Sequence, residues 1–386
     1  MSMTPYTVAI PQADIDDLNA RLARVRWTDE LPDAGTDYGV DLASIKRLVS
    51  YWQHGYDWRI WEARLNAYPQ FTTTIDGENV HFLHVRSNVE NALPLLLIHG
   101  WPKSVFDYLT VIDPLVDPSS HVGEPAQAFH LVIPSLPGFG FSGPTTQKGW
   151  DCFRMAHAFI ELMHRLGYDR YGVHGSDWGA VISPEIGRFD PEHVVGVHVT
   201  AIFSSPWGNS AEIEALSKEE KVQWQRYLAW QQHQGGYYHM QSTAPQTLAH
   251  ALADSPVGQL AWNYQNYGNF QNYGKYEKYG DGVSDDYVLT TAALYWFTNT
   301  AASSARLYYE TAHSARVQHR STEPTTVPLG LVNFAGDHRT IRTFAERDHK
   351  NIVSWNIYDR GNHFATQTAP DLLVNDMRTF FKMLRS

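Results

Sequence analysis

The residue best placed to act as a nucleophile is Asp177, which lies between Gly175 and Gly179 after a short apolar run. Residues 171–180 (YGVHGSDWGA) have the spacing of a nucleophile elbow, the sharp strand-to-helix turn that lifts one reactive side chain above a sheet. A carboxylate nucleophile forms an ester with an alkyl carbon, whereas its attack on an ester carbonyl would give only an anhydride. This segment therefore predicts the opening of an epoxide or the displacement of halide from an alkyl carbon.

Two other interpretations of the same segment are open at this point. If Ser176 were the nucleophile, His174 and Trp178 would occupy positions where the turn requires little or no side chain, so we disfavour Ser176. A chance G-x-D-x-G sequence at a surface turn is the other alternative. Partners for the carboxylate elsewhere in the chain distinguish these interpretations.

An acid and a histidine follow Asp177 in the order that an α/β-hydrolase requires. Asp337 lies on a loop after the predicted strand Pro328–Phe334, and His363 follows the predicted strand Ile352–Ile357. We expect His363 to take a proton from water. We expect Asp337 to fix the tautomer of that histidine and to stabilise the imidazolium that forms.

Nearby residues are alternatives for both roles. Asp348 and Asp359 are alternative acids, and two further histidines, His338 and His349, are alternative bases. Asp348 and His349 lie in a predicted helix, and Asp359 belongs to the loop of His363 itself, which disfavours them. His363 could also be an ordinary histidine of a surface loop.

A second turn precedes the elbow, at residues 99–102 (HGWP) after the predicted strand Leu95–Ile98. Folds with this elbow place there a loop that donates one half of an oxyanion hole. We expect the backbone N–H groups of Trp101 and Trp178 to point at one carboxylate oxygen of Asp177 while water attacks its ester. A buried turn with two packing tryptophans is the simpler interpretation, and the two are compatible.

The elements that must position these residues alternate between strands and helices. Short apolar strands separated by helix-length segments predict an α/β class protein, with a mostly parallel sheet flanked by helices in an α/β-hydrolase fold. The predicted strands are 71–75, 80–85, 95–98, 130–133, 171–174, 194–200, 328–334 and 352–357, and the predicted helices include 11–27, 42–66, 150–166 and 370–383.

The strand pattern stops near residue 204, and a helical, aromatic segment follows. Such an insertion would lie as a lid over the carboxyl ends of the strands, where ligands bind in open α/β sheets. We therefore divide the chain into a helical N-terminal extension (1–70), a first part of the core (71–203), a helical lid inserted after the sixth strand (204–315) and a second part of the core (316–386).

The composition narrows the class of protein. The 386 residues carry a formal net charge of −11, which argues against nucleic acid or an anionic membrane surface as a partner. Cys152 is the only cysteine, so an intramolecular disulfide and a cysteine-based metal site are excluded, as fits a reducing cytoplasm. Neither a signal sequence nor a membrane span is evident, and we expect a cytoplasmic protein.

Residues 138–143 (GFGFSG) form a literal G-x-G-x-x-G after a predicted strand, the spacing of a dinucleotide-binding loop. Pro144 and polar residues follow in place of a helix, and no acidic residue ends a strand about twenty residues later, so we predict a glycine-rich turn near the site. The nineteen histidines include no spacing such as H-E-x-x-H, and we expect neither a metal nor an organic cofactor.

Together these motifs resemble the epoxide hydrolases of the α/β-hydrolase superfamily, in the microsomal-type branch with a helical N-terminal domain. The resemblance implies that two lid tyrosines hydrogen-bond the epoxide oxygen, and by motif these are Tyr237 and Tyr308. Each has a tyrosine neighbour, Tyr238 or Tyr309, so the assignment is open by one position. The resemblance covers nearly the whole chain, including residues 53–68, 99–102, 175–179, 254–258 and 360–364.

Two features depart from the family pattern. Lys103 stands where a small residue is common, and residues 263–280 are unusually rich in Asn, Tyr and Gly. Because we see no N-terminal membrane anchor of the mammalian kind, the chain resembles the soluble bacterial relatives, some of which serve natural-product pathways. We leave such a pathway role open.

Tyrosine also suits the opening of an epoxide on chemical grounds alone, independently of the resemblance to a family. Opening an epoxide develops an alkoxide, and a phenol with an ordinary pKa of about 10 can donate a hydrogen bond and then its proton. Taken singly, a lid tyrosine is more often a packing residue. The expected reaction is attack by Asp177 on an epoxide carbon and hydrolysis of the resulting ester, which releases a vicinal diol.

The aromatic lid predicts a bulky apolar or aromatic epoxide as substrate, with water as the second reactant, and a homodimer is left open. A haloalkane dehalogenase shares the aspartate nucleophile, but such enzymes usually carry Asn where this chain has Trp101, and they have no use for paired phenols. A catalytically silent, ligand-binding homologue is a third alternative, although its triad would usually be broken. Release of halide, formation of diol or neither would distinguish the three.

Overall fold

A computed structural model describes residues 3–121, 123–124, 127–206, 210–269, 283–318 and 323–385. Residues 270–280 of the Asn-, Tyr- and Gly-rich segment lie outside these ranges. The strands are β1 (Thr4–Tyr6), β2 (Gln70–Ile75), β3 (Glu78–Val85), β4 (Leu93–Ile98), β5 (Phe129–Pro134), β6 (Tyr171–Gly175), β7 (Val194–Val199), β8 (Leu329–Asn333) and β9 (Ile352–Ile357).

The described strands form one sheet in the order β1-β2-β3-β5-β4-β6-β7-β8-β9. The pairs β1·β2, β2·β3 and β3·β5 are antiparallel, and every later pair in this order is parallel. The predicted mostly parallel sheet of an α/β-hydrolase fold is therefore confirmed.

The helices flank the sheet and form the lid. They are α1 (Gln12–Leu22), α2 (Leu42–His54), α3 (Trp58–Asn66), α4 (Ile112–Val116), α5 (Cys152–Arg165), α6 (Trp178–Phe189), α7 (Ser210–Glu214), α8 (Lys218–His233), α9 (Gly236–Thr243), α10 (Pro245–Asp254), α11 (Pro256–Asn269), α12 (Asp285–Phe297), α13 (Ala301–Ala312), α14 (Ala315–Gln318), α15 (Arg342–Asp348), α16 (Ala365–Thr368) and α17 (Pro370–Leu384). Helices α7 to α14 lie between β7 and β8 in the chain. Among the described residues, no helix combines the length and the apolar character needed to cross a membrane.

Strand β1 was not predicted. Its three residues pair antiparallel with β2 at the edge of the sheet. So short a segment has no alternation to detect, and Pro5 is tolerated there because an edge strand has one unpaired side. The lid therefore follows the seventh strand rather than the sixth, and the N-terminal extension is not wholly helical. The division of the chain at residue 70 stays a prediction.

The parallel strands have apolar side chains on both faces of the sheet, which explains their continuous apolar runs. In β4, Leu95 and Leu97 join the core that contains α17, whereas Leu96 and Ile98 join the core beneath α5 and α6. Alternate residues of a strand point to opposite faces, so one short segment contributes to two cores. The parallel pairing of β4 with β6 then places their carboxyl ends side by side, with Ile98 opposite Gly175.

The N-terminal helices brace the lid through hydrogen bonds. Arg21 of α1 donates to the carbonyl oxygen of Asp254, at the end of α10, over 3.0 Å. Tyr51 of α2 donates to Asp286 of α12 over 2.7 Å. Both hydrogen bonds join residues that are more than 200 positions apart in the chain, so the N-terminal extension contacts the lid helices directly.

The G-x-G-x-x-G segment is a turn, as predicted, and not the start of an α-helix. Residues 140–142 form one 3₁₀ turn. The backbone N–H of Gly140 donates to Thr300 of the lid over 3.2 Å, and the Ser303 hydroxyl donates to the carbonyl oxygen of Gly138 over 2.5 Å. The turn thus fastens the lid to the core.

Candidate active site

The predicted nucleophile lies at the sharp turn between β6 and α6. Asp177 has φ 55° and ψ −121°, a conformation that residues other than glycine rarely adopt. The turn is tight: a Cβ on Gly179 would lie 1.9 Å from the carbonyl oxygen of Ile98, and one on Gly175 would lie 2.0 Å from that of Gly179. The glycine spacing therefore belongs to a strained elbow that presents Asp177 at the carboxyl end of the sheet.

Replacing Gly179 by alanine should destabilise the protein. The added methyl group would meet the backbone of β4, which cannot move aside as a flexible side chain can. We expect the free energy of unfolding in urea to fall by about 3 kcal/mol, the upper part of the usual range for overpacking. Gly236→Ala is the matched control, because a Cβ there meets nothing within 4 Å and alanine favours a helix. Equal unfolding free energies for the two variants would contradict the tight elbow.

The structure brings Asp177, His363 and Asp337 together. His363 Nε2 lies 3.0 Å from Asp177 Oδ2, and His363 Nδ1 lies 2.8 Å from Asp337 Oδ1. The backbone N–H of His338 donates to the same Asp337 oxygen over 2.7 Å. Because a carboxylate only accepts, the contact with Asp337 fixes the proton of the ring on Nδ1.

Burial and charge act in opposite directions on this pair. Burial would lower the pKa of His363, but the Asp337 carboxylate and the hydrogen bond to Asp177 outweigh it, and the pKa lies above its ordinary value. Burial would likewise raise the pKa of Asp337, yet the charge and hydrogen bond of His363 hold it below its ordinary value. The two carboxylates therefore make the ring bind a second proton more tightly in the free site than an isolated histidine would.

The two oxygens of the Asp177 carboxylate have different partners. The backbone N–H groups of Trp101 and Trp178 both donate to Oδ1 over 2.7 Å, whereas His363 faces Oδ2. A Cβ on Gly100 would lie 2.0 Å from Oδ1, so the loop can approach this closely only with glycine there. Oδ1 therefore accepts two backbone hydrogen bonds, and Oδ2 lies beside the imidazole of His363.

Of the two tyrosine pairs, Tyr237 and Tyr308 face the site. The Tyr237 ring stacks on Trp101 with centroids 5.4 Å apart, and the Tyr308 ring meets Trp178 edge to face at 4.8 Å. Tyr237 and Tyr308 are 6 % and 3 % exposed, while their neighbours Tyr238 and Tyr309 are 43 % and 38 % exposed. In each pair that the motif left open by one position, the tyrosine packed on a tryptophan is therefore the more buried one.

Known proteins resemble this chain over nearly its whole length. Residues 3–108 match the family described as the epoxide hydrolase N terminus, and residues 94–234 match the alpha/beta hydrolase fold. A Stigmatella aurantiaca protein, provisionally named an epoxide hydrolase, is 42 % identical, over 100 % of this chain and 86 % of its own. Epoxide hydrolase 1 of Sus scrofa is 31 % identical, over 99 % and 89 %. The chain belongs to the microsomal-type epoxide hydrolases.

Solved structures of two epoxide hydrolases have the same architecture. The juvenile hormone epoxide hydrolase of Bombyx mori superposes with a TM-score of 0.89 at 27 % identity, over 100 % of this chain and 95 % of that one. The epoxide hydrolase of Aspergillus niger superposes with a TM-score of 0.84 at 28 % identity, over 100 % and 97 %. The enzyme therefore has the fold and the activity class that its sequence predicts.

The residues that the sequence offered as alternative acids and bases of the enzyme have surroundings that differ from those of Asp337 and His363. Burial lowers the pKa of both His338 and His349 to about 4, and the Nδ1 of His349 lies 2.8 Å from the Thr325 hydroxyl. Asp348 pairs with the neighbouring arginine, and Asp359 is exposed. Asp337 is the acid whose carboxylate contacts the imidazole of His363.

One group of side chains among the described residues has the spacing to hold a metal ion. His164, Asp190 and His193 have ligand atoms within 4.8 Å of one another. Both histidines already lie in hydrogen-bond contact with the carboxylate, and Tyr171 donates to it over 2.7 Å. Tyr171 begins β6, whereas Asp177 follows the end of β6. This group therefore lies at the amino ends of the strands, away from the nucleophile at their carboxyl ends.

Sequence reasoning missed the contacts of Lys103. It recorded this lysine only as a departure from the family pattern, yet the side chain lies buried between the elbow and the histidine loop. The available signal was a charged residue directly after the HGWP turn, in a segment predicted to be buried.

Proposed function

We propose that the enzyme opens its epoxide by backside attack of Asp177 Oδ2 on one ring carbon. The bond between that carbon and the epoxide oxygen breaks as the ester bond forms, and the oxygen leaves as an alkoxide. The unequal partners of the carboxylate support this choice of atom: Oδ1 accepts two N–H groups at 2.7 Å, which leaves Oδ2 as the better nucleophile.

The proposal assigns Tyr237 and Tyr308 to the epoxide oxygen. Burial raises the pKa of Tyr308 well above its ordinary value, and Tyr237 and Asp177 add to the effect, so the phenol remains protonated and able to donate. One phenol transfers its proton to the alkoxide as the ring opens. The packing of both rings against Trp101, which carries one donor to Oδ1, supports their position across from the nucleophile.

In the second step, water attacks the carbonyl carbon of the Asp177 ester while His363 Nε2 takes a proton from that water. Ester formation removes the negative charge of Asp177, which had supported the imidazolium, so the pKa of His363 falls. The imidazolium releases its extra proton to solvent and becomes a base, and it regains a proton from solvent once the carboxylate is restored. The two N–H groups then stabilise the oxyanion on Oδ1. His363 returns the proton to the leaving diol oxygen, and the proton of the regenerated Asp177 carboxyl restores the phenol.

The observation that carries this proposal is the division of the carboxylate between a donor pair and a base. It predicts the origin of the oxygen that the diol gains. In a single turnover with excess enzyme in oxygen-18 water, the diol should contain no label, and the peptide with Asp177 should gain about 2 Da because one labelled oxygen replaces a normal one. The same reaction in ordinary water is the control. If every diol molecule from that first turnover carried one oxygen-18 atom, water would have attacked the epoxide directly.

The site also supports a proposal about the substrate. Tryptophan and tyrosine rings enclose the nucleophile, and Trp230 of α8 extends this wall by meeting Tyr237 edge to face at 6.4 Å. Such a wall fits a bulky apolar or aromatic epoxide. Diol formation from styrene-type and polycyclic epoxides, compared with a small aliphatic epoxide of equal reactivity, tests this proposal, since equal kcat/KM values would contradict it.

The location, the pathway and the oligomeric state are finer assignments. A single buried cysteine, Cys152, supports a cytoplasmic location, and the proposal of a role in a natural-product pathway depends on the substrate found. The homodimer stays a prediction that sedimentation can test. Paired phenols beside the nucleophile favour an epoxide over a haloalkane, because halide accepts hydrogen bonds but needs no proton.

A further inference from the structure

Lys103 is a buried cation in the floor of the site. Its side chain is 1 % exposed, and its ammonium group donates to the carbonyl oxygen of His363 over 2.8 Å and to the Ser176 hydroxyl over 3.2 Å. The ring of Phe364 lies 5.1 Å away on a third side. Burying an ammonium costs free energy unless its donors are paired, so these contacts fix where the group lies.

The contacts of Lys103 connect three separate parts of the site. Lys103 belongs to the loop that carries the Trp101 donor, Ser176 precedes the nucleophile, and His363 is the base. The Tyr295 hydroxyl of α12 in the lid donates to the Lys103 carbonyl oxygen over 3.0 Å. An apolar side chain of the same length would fill the space and keep this backbone contact, but it would donate to neither Ser176 nor His363.

The positive charge of Lys103 opposes the carboxylates around His363. It lowers the pKa of His363, whereas Asp337 and Asp177 raise it. It also acts to lower the pKa values of His99 and His174, which burial already holds low, so neither adds a competing charge. Other titratable groups nearby include His338, which burial keeps neutral, and Asp107, whose Oδ1 accepts from the Tyr287 hydroxyl. They also include four phenols whose pKa values burial raises, those of Tyr108, Tyr267, Tyr287 and Tyr295.

When Asp177 becomes an ester, one of the two carboxylates that favour the imidazolium is lost and the lysine charge remains. We propose that Lys103 is a positioning residue for the second step: it holds the histidine loop against the elbow, and its charge favours the unprotonated form of His363 on the ester. This inference rests on the proposed function, because it needs an ester intermediate. It assigns Lys103 no contact with the substrate.

The test measures the two steps separately in single turnovers as a function of pH. Tryptophan fluorescence follows ester formation, and rapid quenching with mass spectrometry follows ester decay. Lys103→Met should form the ester within a few-fold of the normal rate, but ester decay at neutral pH should slow roughly tenfold and the midpoint of its acid limb should rise by about one pH unit. The sign follows because removing a cation raises the pKa of a nearby base.

Two further variants separate charge from packing. Lys103→Arg retains the charge, so the midpoint should stay at the wild-type value even where altered geometry slows decay. Lys350→Met is the matched control, because this lysine is exposed and its ammonium group donates to the carbonyl oxygen of Glu346 in α15, far from the site. If Lys103→Met does not fold, Lys103→Gln carries the same expectation, since its amide retains N–H donors without a charge.

An unchanged acid limb in the methionine and glutamine variants would overturn the proposal, and so would an equal slowing of both steps, which indicates a packing role alone. A wild-type enzyme that forms no ester would instead refute the proposed function. The two failures are therefore distinguishable in one set of experiments.

Discussion

Replacing His363 by glutamine is expected to trap the enzyme as an ester on Asp177. Glutamine can hydrogen-bond in the place of the imidazole but cannot take a proton from water, so the first step should proceed and the second should stop. Loss of general-base catalysis typically slows a step by roughly a hundred- to ten-thousand-fold. Intact-protein mass spectrometry should show enzyme plus substrate accumulating within one turnover.

His349→Gln is the matched control for this prediction. His349 is also buried, but it contacts Thr325 rather than the triad, so ester decay should keep its normal rate. Asp337→Asn should slow the same step as His363→Gln, because an amide can donate to Nδ1 and misassign the proton of the ring. A His363→Gln enzyme that binds substrate without forming an adduct would assign the base elsewhere, with His338 and His349 as the candidates.

Removing both lid phenols is expected to nearly abolish ring opening. Each Tyr→Phe change at Tyr237 or Tyr308 removes one transition-state hydrogen bond worth about 1–3 kcal/mol, and each single variant should slow ester formation roughly ten- to a hundredfold. The double variant leaves the alkoxide without a proton donor, so its loss should exceed the sum of the single effects. Stopped-flow fluorescence can report the rate, since Trp101 and Trp178 flank Asp177.

The neighbouring tyrosines are the controls for this prediction. Tyr238→Phe and Tyr309→Phe make the same chemical change one residue along, on side chains that are 43 % and 38 % exposed, and should be close to wild type. A large defect in either would move the assignment by one position. Ester formation at the wild-type rate in the double Tyr237→Phe, Tyr308→Phe variant would refute the role of the phenols.

Features that depend on local spacing could be read from the sequence. The elbow around Asp177 needs glycines at fixed offsets, because a Cβ at either position would meet backbone, and that requirement is local. Apolar periodicity likewise predicted most strands and the helices α5 and α17, whereas the predicted helix 42–66 is divided by Gly55 into α2 and α3. The order of nucleophile, acid and histidine along the chain follows from the fold class.

Contacts between distant segments were decided only by the tertiary structure. Tyr237 and Tyr238 are adjacent on one helix, so spacing alone leaves both as candidates, whereas in the structure Tyr237 is buried against Trp101 and Tyr238 is 43 % exposed. Strand β1 exists because β2 offers it a free edge, which no pattern of three residues can reveal. The partners of Lys103, Ser176 and His363, lie 73 and 260 residues away in the chain. The sequence could therefore reveal an unusual charge after the HGWP turn, but it could not reveal that this charge contacts the loop of the base.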